Sequence, residues 1–267
     1  MKIAVYQSGS DAVIDKPTRI ACLAQRAREA RDAGAELIIA PEMYLTGYNI
    51  GRDRIIQQSE RLSGESLSAV ADMARDIGIA IVIGFGELGE DGRNYNACAL
   101  FDKTGKRRLL HRKIQLFGDL DRTCFAPGNN MPLVIDWNGI KVAMLICYDV
   151  EFPELVRSIA LKGCDLLLVP TAQMAPFDRI AEMMVPVRAM ENQLFLAYAN
   201  RCDQEGELNY VGKSVICAPW SDLARAGDQD CLIIADLDFD ALEKSRKEFP
   251  YLRDRRPESY FGLLGDV

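Results

Sequence analysis

The feature that most restricts how this chain can fold is a unit that occurs three times: an amphipathic stretch, a glycine, then a short apolar run. Residues 17–33 set Ile20, Leu23, Ala24, Ala27 and Ala30 on one helical face, Gly34 follows, and 36–40 reads as a strand stopped by Pro41. The unit returns at 66–76, Gly78 and 79–85, and again at 152–162, Gly163 and 165–169. A glycine just past the last periodic residue stops a helix, and a continuous apolar run of this length suits a strand covered on both faces. Hairpins lie between the units. Residues 94–102 and 107–113 flank Lys103-Thr104-Gly105-Lys106, and 134–137 and 141–147 flank the tight-turn pair Asn138-Gly139. Strands are expected at 2–7, 194–200, 213–218 and 231–237, with helices at 178–192, bent or broken by Pro186, and at 239–248. Helices alternating with strands, with hairpins mixed in, predict a layered α/β or α+β fold. Without a linker, repeat or low-complexity segment, residues 1–267 are expected to form one domain.

Several function classes fall away on composition. A net charge of −7 and a pI near 5.0 argue against nucleic acid as a partner and suit a cationic small molecule. Apolar runs such as 142–147 and 166–169 are far short of the roughly 20 residues that cross a bilayer. The start, Met1-Lys2-Ile3-Ala4-Val5-Tyr6-Gln7, shows no secretory h-region, so a cytoplasmic protein without membrane contact is expected. The eight cysteines are scattered without a Cys-x-x-Cys pair, which disfavours zinc and a disulfide scaffold and leaves most of them as buried fillers. His111 is the only histidine; imidazole-rich metal sites are excluded, and any Ser-His-Asp or Cys-His catalyst would have to use it. In the strand-like run 109–113 it reads as structural. Phosphate-cradling glycine motifs are missing, so neither a nucleotide cofactor nor a metal is expected.

What remains is a set of polar residues at strand ends. Glu42 follows the apolar run 37–41, Lys113 closes the strand from 107, and Cys147 ends the run 142–146 just before a helix start at Phe152-Pro153-Glu154. Singly these are a solvated loop carboxylate, a surface ammonium and a core thiol. A thiol at a strand-to-helix junction, however, can meet unpaired backbone N–H groups that serve as anion donors.

Their contexts carry more. Pro41-Glu42-Met43-Tyr44-Leu45-Thr46-Gly47-Tyr48, His111-Arg112-Lys113-Ile114-Gln115-Leu116-Phe117 and Leu145-Ile146-Cys147-Tyr148-Asp149-Val150-Glu151-Phe152-Pro153-Glu154 resemble the three signature segments of the nitrilase (carbon–nitrogen hydrolase) superfamily, in its order. Phe125-Ala126-Pro127-Gly128, the strand end at 168–172 and Arg188-Ala189-Met190-Glu191-Asn192 support the resemblance, which spans residues 1 to about 257. It implies a four-layer α-β-β-α sandwich and a homodimer or higher homo-oligomer, with the tail at about 250–267 in oligomer contacts. Segments 47–51, 117–122 and 249–254 are similar to bacterial aliphatic amidases, of which 5-aminopentanamidase and R-stereoselective amidases are the nearest types.

The resemblance implies Cys147 as nucleophile, Glu42 as general base and then acid, and Lys113 as electrostatic stabiliser, with the Tyr148 N–H as oxyanion donor. Many members carry a second Glu six positions before the proline of the Phe-x-Pro-Gly segment. Here that position is Asp121, one methylene shorter, which either reaches Lys113 or substrate or caps local N–H groups. Glu151 occupies the place where relatives acting on ω-amides of dicarboxylates carry Arg, which favours a neutral or amino-bearing amide over an anionic one. Tyr48, Asn49, Ala172 and Gln173 are expected pocket walls. The substrate implied is a small aliphatic amide. Rival readings are nitrile or N-carbamoyl hydrolysis by the same residues, a non-catalytic oligomeric binding member, and a metal-dependent phosphoesterase disfavoured by the single histidine.

Overall fold

The computed structural model describes residues 1–9 and 15–260. In the first half, strands β1 (Lys2–Gln7), β2 (Leu37–Ile39), β3 (Ala80–Leu88), β4 (Asn94–Phe101) and β5 (Arg107–Arg112) are joined through helices α1 (Lys16–Asp32), α2 (Arg52–Gln58) and α3 (Glu65–Ile77). A short helix α4 (Gly118–Arg122) then leads to β6 (Val134–Trp137), β7 (Ile140–Met144), α5 (Pro153–Leu161), β8 (Leu166–Pro170), α6 (Val185–Asn192) and β9 (Phe195–Ala199). The chain closes with the small ribbon β10 (Gln204–Glu205) and β11 (Leu208–Asn209), then β12 (Val215–Ala218), β13 (Ser221–Arg225), β14 (Cys231–Asp236) and α7 (Phe239–Glu248).

Two six-stranded sheets result, ordered β14-β1-β2-β3-β4-β5 and β13-β12-β9-β8-β7-β6. Each has a parallel trio, β1-β2-β3 and β7-β8-β9, flanked by antiparallel strands. Side chains alternate across each strand, so one face of each sheet meets the other sheet and the opposite face meets helices. Ile3, Val5, Leu37 and Ile39 pack inward against Val142, Met144, Leu166 and Leu168. Ala4, Tyr6 and Ile38 instead meet Leu23, Ala27 and Val70 of α1 and α3, while Leu167 and Val169 meet Val156, Ile159 and Val185 around α5 and α6. Burying each Leu, Ile or Val is worth roughly 1.5–3 kcal/mol, and a one-residue slip would turn all of them the wrong way. The architecture is the α-β-β-α sandwich.

Local rules account for the helix ends. Asp15 accepts from the Thr18 N–H at 2.9 Å with Pro17 in the first turn of α1, and Gly34, Gly78 and Gly163 all stand at positive φ just past α1, α3 and α5. The structure differs from the sequence expectation in several places. Helices α2 and α4 and strands β10, β11 and β13 are short, without a clear apolar period, and went unread. The strand expected over 141–147 ends at Met144, because Cys147 begins a 3-10 turn (Cys147–Glu151). The helix expected over 178–192 is divided into a π-helical turn (Ile180–Met184) and α6, with Pro186 in the first turn of α6, where no N–H is required. Of the tail at 250–267, residues 261–267 lie outside the described residues. Among the described residues, no helix is long and apolar enough to cross a membrane.

Candidate active site

The parallel trios fix where the polar residues emerge. The chain leaves β2 for Glu42, β7 for Cys147 and β8 for Thr171 and Ala172, all at carboxyl ends of parallel strands. Strand β5 is antiparallel to β4, which is antiparallel to β3, so β5 delivers Lys113 to the same edge of the first sheet. The Glu42 N–H donates to the Thr171 carbonyl at 3.2 Å and ties the two sheets together. Glycine is required beneath it. A Cβ on Gly84 would sit 2.5 Å from the Pro41 carbonyl oxygen and 2.8 Å from the Glu42 Cα, so any side chain would push the turn off β3.

Lys113 Nζ donates to Glu42 Oε1 and to Asp121 Oδ2, both at 2.7 Å. All three side chains are fully buried. Asn96 Nδ2 donates to the same Glu42 Oε1 at 2.7 Å, and Glu42 Oε2 is buried with no hydrogen-bond partner among the described residues. Asp121 also accepts from the Tyr48 hydroxyl at 2.9 Å and from the Phe117 N–H at 2.8 Å. The shorter carboxylate therefore reaches Lys113 and caps a local N–H at once; the two readings of this position were not exclusive. Burial pushes the Glu42 carboxyl up and the Asp121 charge adds to that, against the opposing pull of Lys113. Burial alone would lower Lys113, but its anionic surroundings, led by Glu42, outweigh that and hold it well above its ordinary value. Its ammonium stays charged.

Cys147 sits beside this cluster at φ +44°, left-handed backbone that costs a non-glycine residue about 1–2 kcal/mol. The surroundings hold it there. Asp149 Oδ1 accepts from the N–H groups of Ile114 (3.0 Å) and Gln115 (2.8 Å), and its Oδ2 accepts from the Ile146 N–H at 3.2 Å and pairs with His111 Nε2 at 2.8 Å. One carboxylate thus staples the lysine-bearing segment to the nucleophile turn, and the histidine is part of the staple. Arg188 holds the far end of the turn through the carbonyls of Val150 (3.0 Å) and Glu151 (2.7 Å). Burial first, then the Glu42 charge, raise the Cys147 thiol, while Lys113, the Thr171 hydroxyl and the Ala172 N–H oppose the rise. The resting sulfur keeps its proton. Tyr148 lies in the first turn of the 3-10 segment, where a short helix has no acceptor of its own for the N–H.

The remaining expected residues divide. Tyr48 lies within the cluster, its hydroxyl 3.4 Å from Lys113 Nζ. Asn49 turns away and donates to the Glu205 carbonyl at 3.0 Å. The Gln173 side chain accepts from the Tyr198 hydroxyl at 3.2 Å, which in turn accepts from Thr171 at 3.0 Å. Glu151 is half-buried, and its carboxylate makes no ion pair or hydrogen bond among the described residues. Burial pushes it up to about 7, against Lys113 and Arg188. Edge-on rings of Phe117 and Tyr148 (5.3 Å), Tyr148 and Phe152 (4.9 Å), and Phe117 and Phe177 (6.1 Å) form an apolar wall around the turn.

Sequence reasoning missed two residues here. Asn96 could have been flagged as an amide that lies inside β4 and not at its end, as Asn94 does. Glu205 could not: its carboxylate accepts from the N–H groups of Tyr48 and Asn49 across more than 150 residues, and only the fold joins them.

Residues 2–247 match the carbon-nitrogen hydrolase family. The chain belongs to that family. It is a nitrilase-superfamily enzyme, and its sandwich is the fold of solved amidases of that superfamily. This hydrolase is 43% identical over 264 residues, 98% of its own length and 92% of the other's, to "Hydrolase in pqqF 5'region" from Pseudomonas protegens. It is 34% identical over 223 residues to an (R)-stereoselective amidase from a Pseudomonas species, covering 83% of this chain and 80% of that one. The amidase from Nesterenkonia sp. AN1 superposes with a TM-score of 0.86 at 32% identity, covering 99% of this chain and 100% of that one. It is solved in a mutant form that shows Michael addition of acrylamide at its active site cysteine.

Proposed function

We propose that this hydrolase cleaves the C–N bond of a small aliphatic amide, preferring an amino-bearing acyl chain to an anionic one, through a thioester on Cys147. The observation that carries the reading is a buried ammonium, Lys113, held by two carboxylates beside a thiol on a left-handed turn. Glu42, with its affinity for protons raised by burial, takes the proton from Sγ as sulfur attacks the carbonyl carbon. The C=O electron pair moves to oxygen, where Lys113 Nζ and the Tyr148 N–H stabilise the charge; losing one such donor costs about 3–4 kcal/mol of barrier. Glu42 returns the proton to nitrogen, the C–N bond breaks and ammonia leaves. Water then attacks the thioester carbonyl, Glu42 takes its proton, and the acid departs as sulfur regains a proton. The aromatic wall suits an aliphatic chain, and the unpaired carboxylate of Glu151 supports the preference for an amine.

The test is rapid-quench intact-mass analysis of the wild-type enzyme mixed with a panel of amides, nitriles and N-carbamoyl amines. An acyl mass on Cys147 from an amide is expected, and Cys147→Ala should lose about four orders of magnitude or more in turnover. Undiminished turnover by Cys147→Ala overturns the mechanism. Faster turnover of a nitrile or carbamoyl amine overturns the substrate class.

A further inference from the structure

We propose that Asn96 is a positioning residue that assigns the two oxygens of Glu42 different tasks, fixing Oε1 as the anchored oxygen and Oε2 as the one that carries the proton. The inference rests on Glu42 being the general base, and it concerns which atom does that work.

Oε1 accepts two donors at 2.7 Å, Lys113 Nζ and Asn96 Nδ2, while Oε2 is buried with none among the described residues. Two donors concentrate negative charge on Oε1 and leave it no inward lone pair for a proton, so the proton taken from sulfur goes to Oε2. Lys113 alone could not enforce this, because it divides its N–H groups between Glu42 and Asp121 and would follow either carboxylate. Asn96 is the donor dedicated to Glu42. Its amide orientation is set by the same contact: turning it over would bring Oδ1, which is buried and unpartnered, against a carboxylate oxygen. The residue reaches both catalytic groups from one position. Its backbone carbonyl accepts from the Lys113 N–H at 2.8 Å while its side chain holds Glu42, and the backbone contact survives removal of the side chain. Rotation of the Glu42 carboxylate must break both bonds to Oε1, which keeps Oε2 the unengaged oxygen through the acylation and hydrolysis steps.

The readout is the acid limb of the pH profile of kcat/KM, measured with whichever amide of the panel turns over fastest. The Asn96 bond stabilises ionised Glu42. Its loss in Asn96→Ala should move the acid limb upward by about one pH unit and lower kcat/KM by about one to two orders of magnitude. In the isosteric Asn96→Asp an acceptor faces an acceptor, and the limb should move further in the same direction. An unfilled gap or a loosened strand would lower activity at every pH and leave the limb where it is, and that result overturns the proposal. Wild-type enzyme supplies a second test independent of variant folding. The side-chain 15N resonance of Asn96 and the 13Cδ resonance of Glu42 should titrate with one midpoint; an Asn96 signal that stays flat while Glu42 titrates is refutation. Full activity of Glu42→Gln would instead overturn the reading of Glu42 as base, so the two failures are distinguishable.

Discussion

Replacing Asp121 by Asn tests whether the second carboxylate is part of the machinery. Asp121 accepts from Lys113 Nζ at 2.7 Å, the Tyr48 hydroxyl at 2.9 Å and the Phe117 N–H at 2.8 Å. An amide oxygen can serve two of these three, and the amide's own N–H groups would enter a space already lined by donors. At least one buried donor is orphaned, at about 1–3 kcal/mol, and Lys113 loses one of its two counter-charges; breaking a buried pair costs about 3–5 kcal/mol. Relief of the repulsion between Asp121 and Glu42 offsets part of this, for a net loss of about 2–4 kcal/mol, a large share of a typical 5–15 kcal/mol. Urea unfolding reads the loss directly. Activity should fall about a hundredfold as Lys113 gains freedom. The acid limb of kcat/KM should move to lower pH, because the Asp121 charge is one of the influences holding Glu42 up. The opposite direction from Asn96→Ala is the diagnostic point. Asp121→Glu should overpack the fully buried site at about 1–3 kcal/mol yet leave the limb in place. A destabilisation below about 1 kcal/mol with an unmoved limb in Asp121→Asn would refute the reasoning.

Two further outcomes follow from the same geometry. Glu151, held at about 7 by burial, is ionised only above that pH. KM for an amino-amide should therefore fall as pH rises through about 7, by up to about tenfold per unit, while KM for an uncharged amide of equal length stays flat. Parallel KM profiles for the two substrates, or a pH dependence that persists in Glu151→Gln, would discard the contact. Asp149→Ala orphans the four donors of the staple and should cost at least about 3 kcal/mol in chemical denaturation, whereas a loss under about 1 kcal/mol would mean those N–H groups find other partners.

The sequence by itself determined the layers and the edge. Apolar runs and helix-stopping glycines are local signals, because helix and strand periods and left-handed turns are set by residues within a few positions of each other. They placed β1 and α7 to the residue, and they put Glu42, Lys113 and Cys147 at the ends of elements. Cys147 was nonetheless read as the end of a strand, since the turn that sets its φ is held by distant residues, Ile114, Gln115 and His111 through Asp149 and Arg188 through Val150. Only the tertiary structure decided what the charged residues face. Asp121 reaches Lys113 because α4 folds back over the end of β5, Asn96 meets Glu42 because β4 runs beside β3, and Glu205 holds the Tyr48 loop from a distant ribbon. Side-chain hydrogen bonds between elements depend on sheet order and register, quantities that no local window contains, so the ends of the strands were legible and, Asp121 apart, their partners were not.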